Sequence, residues 1–293
     1  MVTREQLRAL DFSLWLGSGK AAAGILHCNQ STVSRQCRTV IRRLGLSPGG
    51  PPRSAEISRE HPAGWGEELL ALERQVHQMS RFQRAGELRL HAYLWTSLLH
   101  LQAVAPGWVQ PPWNLDVSST DALALLEHRV IDAFLAPAPA CPPPEDSRFA
   151  VIPLYALPLE VLSCGAGSLP EEHGLAAAEV ARELPLHHLP FVPPAARRCS
   201  LDLDAVLFGA VDGTVVGEGY RCYGNALSRL LVPELGRLDL ETGILFEESL
   251  VVLQDHADRR PVRDLVAALH RQLRTLQDHH RLELDLRCGA ATP

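Results

Sequence analysis

Acidic side chains are missing from one long stretch of this sequence: none stands between Asp11 and Glu56. Lysine is almost missing altogether. Lys20 is the only one, which points to a base bias in the gene rather than to function. Paired cysteines are also absent. The seven cysteines (28, 37, 141, 164, 199, 222 and 288) are odd in number and never spaced as CxxC. That excludes a clustered zinc site and a secreted disulfide framework, and it predicts reduced thiols in a cytoplasm, with no metal and no cofactor. Long apolar runs are lacking too. Arg4, Glu5, Arg8 and Asp11 interrupt any signal-peptide core, and the uncharged stretch 90–115 is broken by His91, His100, Gln102 and Pro106. No membrane span is therefore expected. The apolar share is 46% and the charged share 21%, which excludes wholesale disorder and fibrous repeats. A chain of 293 residues is long enough for one or two domains with their own cores.

What charge there is lies unevenly. Residues 1–46 carry seven basic and two acidic side chains, a net +5, so the other 247 must hold −11 to give the overall −6. A basic module joined to an acidic one is the first functional clue. Within the basic part, Thr3 and Gln6 form a capping-box pattern ahead of Leu7, Leu10 and Leu14. Gly17-Ser18-Gly19 ends that helix, and Ser18 can cap a second over Ala21–His27. Cys28-Asn29 makes a turn, with Asn29 as N-cap of a third helix ending at Leu44-Gly45. Helix, tight turn and helix in so short a span is the helix-turn-helix pattern.

At about 100° per residue, Val33, Cys37, Val40 and Leu44 of the third helix form one stripe. Ser31, Arg35, Arg38 and Arg42 fall almost opposite, flanked by Thr32 and Ser34. Arginine can grip guanine edges with two hydrogen bonds, and hydroxyls and a helix N-terminus can hold phosphates, so this face suits the DNA major groove. A merely solvated charged face is the alternative.

Further along, 47–66 is a Pro/Gly-rich break. A helix over 67–84 places Leu69, Leu72, Val76 and Met79 at steps of 3, 4 and 3, a short seam for pairing with a twin or for packing on its own domain. From Leu88 the pattern alternates strand and helix: a strand Leu88–Ala92, a helix 96–105, a strand Trp113–Ser118, a helix 120–128 and a strand Val130–Ala136. Two apolar runs, Phe149–Leu154 and Leu159–Cys164, flank Pro158. A strand Leu250–Gln254 and a long amphipathic helix through Val262, Leu265, Leu269, Leu273 and Leu276 follow. Such alternation predicts a mostly parallel sheet covered by helices.

Gly17-Ser18-x-x-Ala21-Ala22-Ala23, followed by Leu26 to Gln36, resembles the helix-turn-helix of LysR-type transcriptional regulators, without a gap. Pro62-Ala63-Gly64 is similar to that family's end-of-wing segment, and Asp132 sits like the aspartate of its first regulatory subdomain. Ser47–Pro52 departs from the family's usual Leu-Phe-x-Arg segment. The resemblance implies an α plus α/β protein: a winged helix-turn-helix over 1–64, a dimerising linker helix over 65–86, and an effector-binding domain of periplasmic-binding-protein (type 2) kind over 87–293. Its subdomain I would cover 87–157 and 262–293, and subdomain II 158–261. The implied partners are double-stranded DNA with dyad symmetry, an unknown small-molecule effector, and further copies of the chain in a dimer or tetramer. The DNA-contacting set would be Gln30, Ser31, Thr32, Ser34, Arg35, Arg38, Arg42 and Arg53. The effector cleft would draw on Thr96, Ser97, Ser119 and Thr120 at strand-to-helix junctions, where plain helix capping is the alternative.

No sequence feature argues for an enzyme. Gly217-x-Gly219 lacks a third glycine, no Gly-x-Ser-x-Gly elbow exists, and the pairs His187-His188 and His279-His280 point apart. Cys199 and Cys222 are too far separated in sequence to suggest a redox pair. The competing class is a small-molecule-binding or enzymatic α/β protein whose N-terminal helices serve only for assembly.

Overall fold

The computed structural model describes residues 2–46, 65–84, 86–92, 105–109, 119–164, 220–231, 235–282 and 284–287. Helix α1 (Arg4–Trp15) opens on the expected capping box, with Thr3 and Gln6 each bonding the other's backbone. It buries Leu7, Leu10, Phe12, Leu14 and Trp15. Gly17, at φ 61, turns the chain, and Ser18 caps α2 (Gly19–Ile25) by accepting from the Ala21 N–H. The small side chains of Ala22 and Ala23 are buried there, which lets α2 sit close to its neighbours. Helix α3 (Gln30–Leu44) starts after Asn29, whose side chain makes no capping bond, and stops at Gly45 in the left-handed region.

Helix α4 (Trp65–Arg84) begins beside the end of α3. Gly66 packs so near the Leu44 carbonyl that a Cβ there would overlap it. Then follow β1 (Leu88–Ala92), β2 (Trp108–Val109), α5 (Ser119–Glu127), β3 (Ala133–Pro137), β4 (Phe149–Cys164), β5 (Tyr220–Gly224), α6 (Ala226–Leu231), β6 (Leu235–Leu253), α7 (Arg260–His280) and β7 (Asp285–Leu286).

The strands form one sheet in the order β2-β1-β3-β6-β4-β5, with β7 also paired to β4. Only β1–β2 and β1–β3 pair in parallel. The pairings β3–β6, β4–β6, β4–β5 and β4–β7 are antiparallel. The expected mostly parallel sheet is thus mixed among the described strands. Direction is a tertiary property: a buried apolar strand reads the same whichever way its neighbour runs. The two runs around Pro158 are likewise one strand, β4, whose pairing with β6 shifts register at Pro153/Tyr155 and on either side of Glu160. Proline has no N–H to give the ladder, so irregularity collects beside it.

Alternate residues face opposite layers. Phe134, Ala136, Phe149 and Val251 join the core that holds α1–α3 and α5, while Ala133, Leu135, Leu250 and Val252 face α7 through Val262, Leu265, Leu269 and Leu273. The helical module therefore shares a hydrophobic core with one face of the sheet. At that seam the Trp15 indole N–H donates to His91 Nδ1 on β1, 3.1 Å away.

Burial holds His91 down to about 4, from an ordinary value of 6.5. Since the unfolded chain binds this proton more readily, stability is retained above about pH 6.5 and lost as the pH falls towards 4. His77, His128, His256 and His270 are depressed in the same direction, burial being the largest cause in each. Thermal unfolding followed between pH 7.5 and 4.5 should show a falling midpoint, and His91→Gln should make the fall shallower.

Candidate nucleic-acid interface

Helix α3 packs its inner face on α1. Val33 and Val40 are fully buried, while Cys37 and Leu44 are half-buried against the same core. The stripe deduced from periodicity is therefore the packed face. On the other side Gln30, Ser31, Arg35, Arg38 and Arg42 point outward, Thr32 and Ser34 flanking them. Arg35, Arg38 and Arg42 form no ion pair with any described residue. Among the described residues the Gln30 and Ser31 N–H groups at the start of the helix meet no acceptor, leaving a partial positive charge at the leading end. The whole outward face is thus cationic, hydroxyl-bearing and open.

Arg53, Thr96 and Ser97 lie outside the described residues. Ser119 and Thr120 are the first two residues of α5. The structure thus brings together the helix α3 set and leaves the cleft set untested.

Helix α4 has two unlike faces. Leu70, Arg74, Gln78, Arg81 and Phe82 are buried against the rest of the chain. Leu69, Leu72, Val76 and Met79 are 49%, 58%, 65% and 43% exposed. Four of the five exposed large apolar side chains among the described residues are on this one stripe, the fifth being Leu245. The helix does pack on its own domain, but not through the seam that its heptad-like spacing marks.

No protein-family model and no curated protein matches the sequence. Solved structures do match over nearly the whole chain. A hydrogen-peroxide-bound cysteine-to-serine mutant of OxyR from Corynebacterium glutamicum shares 15% identity, covering 96% of this chain and 97% of that one, with a TM-score of 0.47. CbnR, a LysR family transcriptional regulator, shares 16% over 92% and 98%, with a TM-score of 0.44. CrgA, a LysR-type transcriptional regulator from Neisseria meningitidis, shares 15% over 93% and 99%, with a TM-score of 0.36. Full-length LysR-type regulators are among its structural matches.

Behind the exposed face lies a polar junction that periodicity could not reveal. Asp11 of α1 is buried between two arginines, accepting from Arg74 Nε of α4 at 2.9 Å and from Arg89 of β1 at 3.0 Å. The Arg89 guanidinium also lies 4.8 Å from the centre of the Phe12 ring and donates to the Val130 carbonyl. Burial, and then the Arg81 charge beside it, push Arg89 down to about 10. Asp132 is fully buried and accepts four hydrogen bonds: two from Arg81, one from Gln78 and one from the Arg89 backbone N–H. Gln78 in turn accepts from Arg129 and meets His256, which stacks on Phe82. Charged residues within an apolar pattern were the available signal. Asp11 and Arg89 both interrupt runs that otherwise read as core, and in soluble proteins such charges are buried only when paired.

Proposed function

We propose that the chain is a sequence-specific DNA-binding transcriptional regulator of LysR type, not an enzyme. The observation that carries the reading is the outward face of α3. Three arginines with no ion-pair partner among the described residues stand outward beside the helix N-terminus, while the opposite stripe anchors the helix on α1. Assembly alone gives no reason for such a face, because α1 rather than α3 makes the helical module's polar bonds to the sheet. The helix-turn-helix resemblance across Gly17–Gln36 supports the same conclusion.

In this reading residues 1–64 form the DNA-reading module, 65–86 the dimerising helix, and 87–293 a two-subdomain regulatory module. A small-molecule effector would bind between the subdomains, near Thr96, Ser97, Ser119 and Thr120. Twin recognition helices in a symmetric dimer would read half-sites one or more helical turns apart, in the cytoplasm. Gln30, Ser31, Thr32, Ser34, Arg35, Arg38 and Arg42 would contact DNA, with Arg53 added from the segment after α3.

Binding-site selection from sheared genomic DNA with the purified full chain tests this. Arg35 lies nearest the leading end of the helix among the three arginines, where base edges are within reach. Arg35→Ala should cost roughly 1–3 kcal/mol and relax preference at one or two positions of each half-site. Arg42, two turns further along, should meet the backbone. Arg42→Ala should weaken all sequences alike and lower the salt slope by about one. Affinity that stays flat between low and physiological salt would overturn DNA binding.

A further inference from the structure

The N-terminal end of α1, the middle of α4 and the start of β1 enclose a small half-open cleft with room for about one water at its base. Its walls are unusually cationic. Arg4, Arg8, Arg81 and Arg89 line it together with His77, and the carboxylates present are Asp11 and Glu87. Those carboxylates are shared out: Asp11 serves both Arg74 and Arg89, and Glu87 serves both Arg4 and Arg8. Arg81 is spent on Asp132. Glu73 of α4 gives one oxygen to the Val2 N–H, and its other oxygen is buried without a hydrogen-bond partner.

Donor capacity is left over. The Nε atoms of Arg8 and Arg89 are buried without a hydrogen-bond partner, and Arg89 is only 2% exposed. Glu87 itself reaches the arginines from a left-handed backbone, φ 64, which a non-glycine side chain rarely adopts. Its carboxylate occupies the mouth of the cleft as an anion would, held by two side chains that are themselves partly in water.

The geometry points to an oxyanion-binding site in this cleft, in which a phosphate or small dicarboxylate displaces Glu87 and is gripped by Arg4 and Arg8, with Arg89 at its floor. Planar guanidinium forks match either oxyanion with paired hydrogen bonds, and the Glu87 carboxylate is the internal competitor that sets the affinity. Because Arg4 and Arg8 belong to α1 and Arg89 to β1, the bound anion would bridge the helical module and the sheet.

The test is titration calorimetry on the full-length protein with inorganic phosphate and, separately, malonate, at constant ionic strength set by chloride. No DNA is present, so the outcome is independent of the DNA-binding reading. Saturable binding is expected for at least one probe, and the tighter one identifies the oxyanion class. Glu87→Gln should tighten it about tenfold, and Arg4→Ala/Arg8→Ala should weaken it at least tenfold. Both changes are at partly exposed side chains, and an unaltered thermal transition would verify that the variants fold. Absence of saturable binding in both the wild type and Glu87→Gln would overturn the site. So would binding that neither substitution alters, which would place the anion elsewhere.

Discussion

Asp132→Asn should cost roughly 3–5 kcal/mol of folding stability, enough to unfold a marginal domain at moderate temperature. The carboxylate is fully buried and holds Nε and Nη2 of Arg81, the Gln78 amide and the Arg89 N–H at 2.7–2.9 Å. Asparagine keeps the shape but removes the charge, and its NH2 group cannot accept. Arg81, 5% exposed, would then be a buried cation without its ion-pair partner. A polar network with one member missing is worse than none, because the remaining groups stay desolvated. Urea unfolding should show the midpoint moving sharply down. Asp146→Asn is the comparison: that carboxylate pairs with Arg148 at the surface, where water replaces the partner, and should move the midpoint far less. If the two variants unfold alike, the Asp132 network is not what ties α4 to the sheet.

The second large effect concerns assembly. Leu72→Glu with Val76→Glu should convert the proposed dimer into a monomer without unfolding the chain, since those side chains are 58% and 65% exposed in the single subunit. Two charges placed in an apolar seam must be desolvated on pairing, which costs several kcal/mol and reverses the gain from burying the stripe. DNA affinity should then fall by about a hundredfold or more, because the second half-site no longer binds at high effective concentration. Sedimentation velocity, run beside a DNA titration, checks both. A variant that sediments as the wild type would sink the α4 pairing and leave the stripe unexplained.

Much of the N-terminal module was legible from residue order alone. The capping box of Thr3 and Gln6, the Ser18 cap, the Gly45 stop and the Val33/Val40 stripe depend on contacts between residues near in sequence. Local rules of spacing and capping therefore suffice for them. The long helix through Val262, Leu265, Leu269 and Leu273 was legible for the same reason. Asn29 was placed rightly at its cap position, yet its side chain makes no bond there, because a preference for a position does not fix a rotamer. The sheet was less legible. Its strands β1 and β3 are legible, and β4 spans both apolar runs joined through Pro158, but β6 begins far upstream of the Leu250–Gln254 segment that periodicity suggests.

Residue order is thus enough for a basic helix-turn-helix ahead of an acidic α/β chain. It is also enough to say which face of α3 is packed and which cations stand outward, since a helix has one period and charge can be counted. Strand direction and register came from the fold, and so did the choice of which charges meet. Asp11, Arg74, Arg89 and Asp132 are separated by as many as 121 positions, and nothing local says that one carboxylate will find two guanidiniums across a helix and a sheet. Such pairs form because packing removes their water, and each buried charge must then be met by whatever opposite charge the fold has brought beside it.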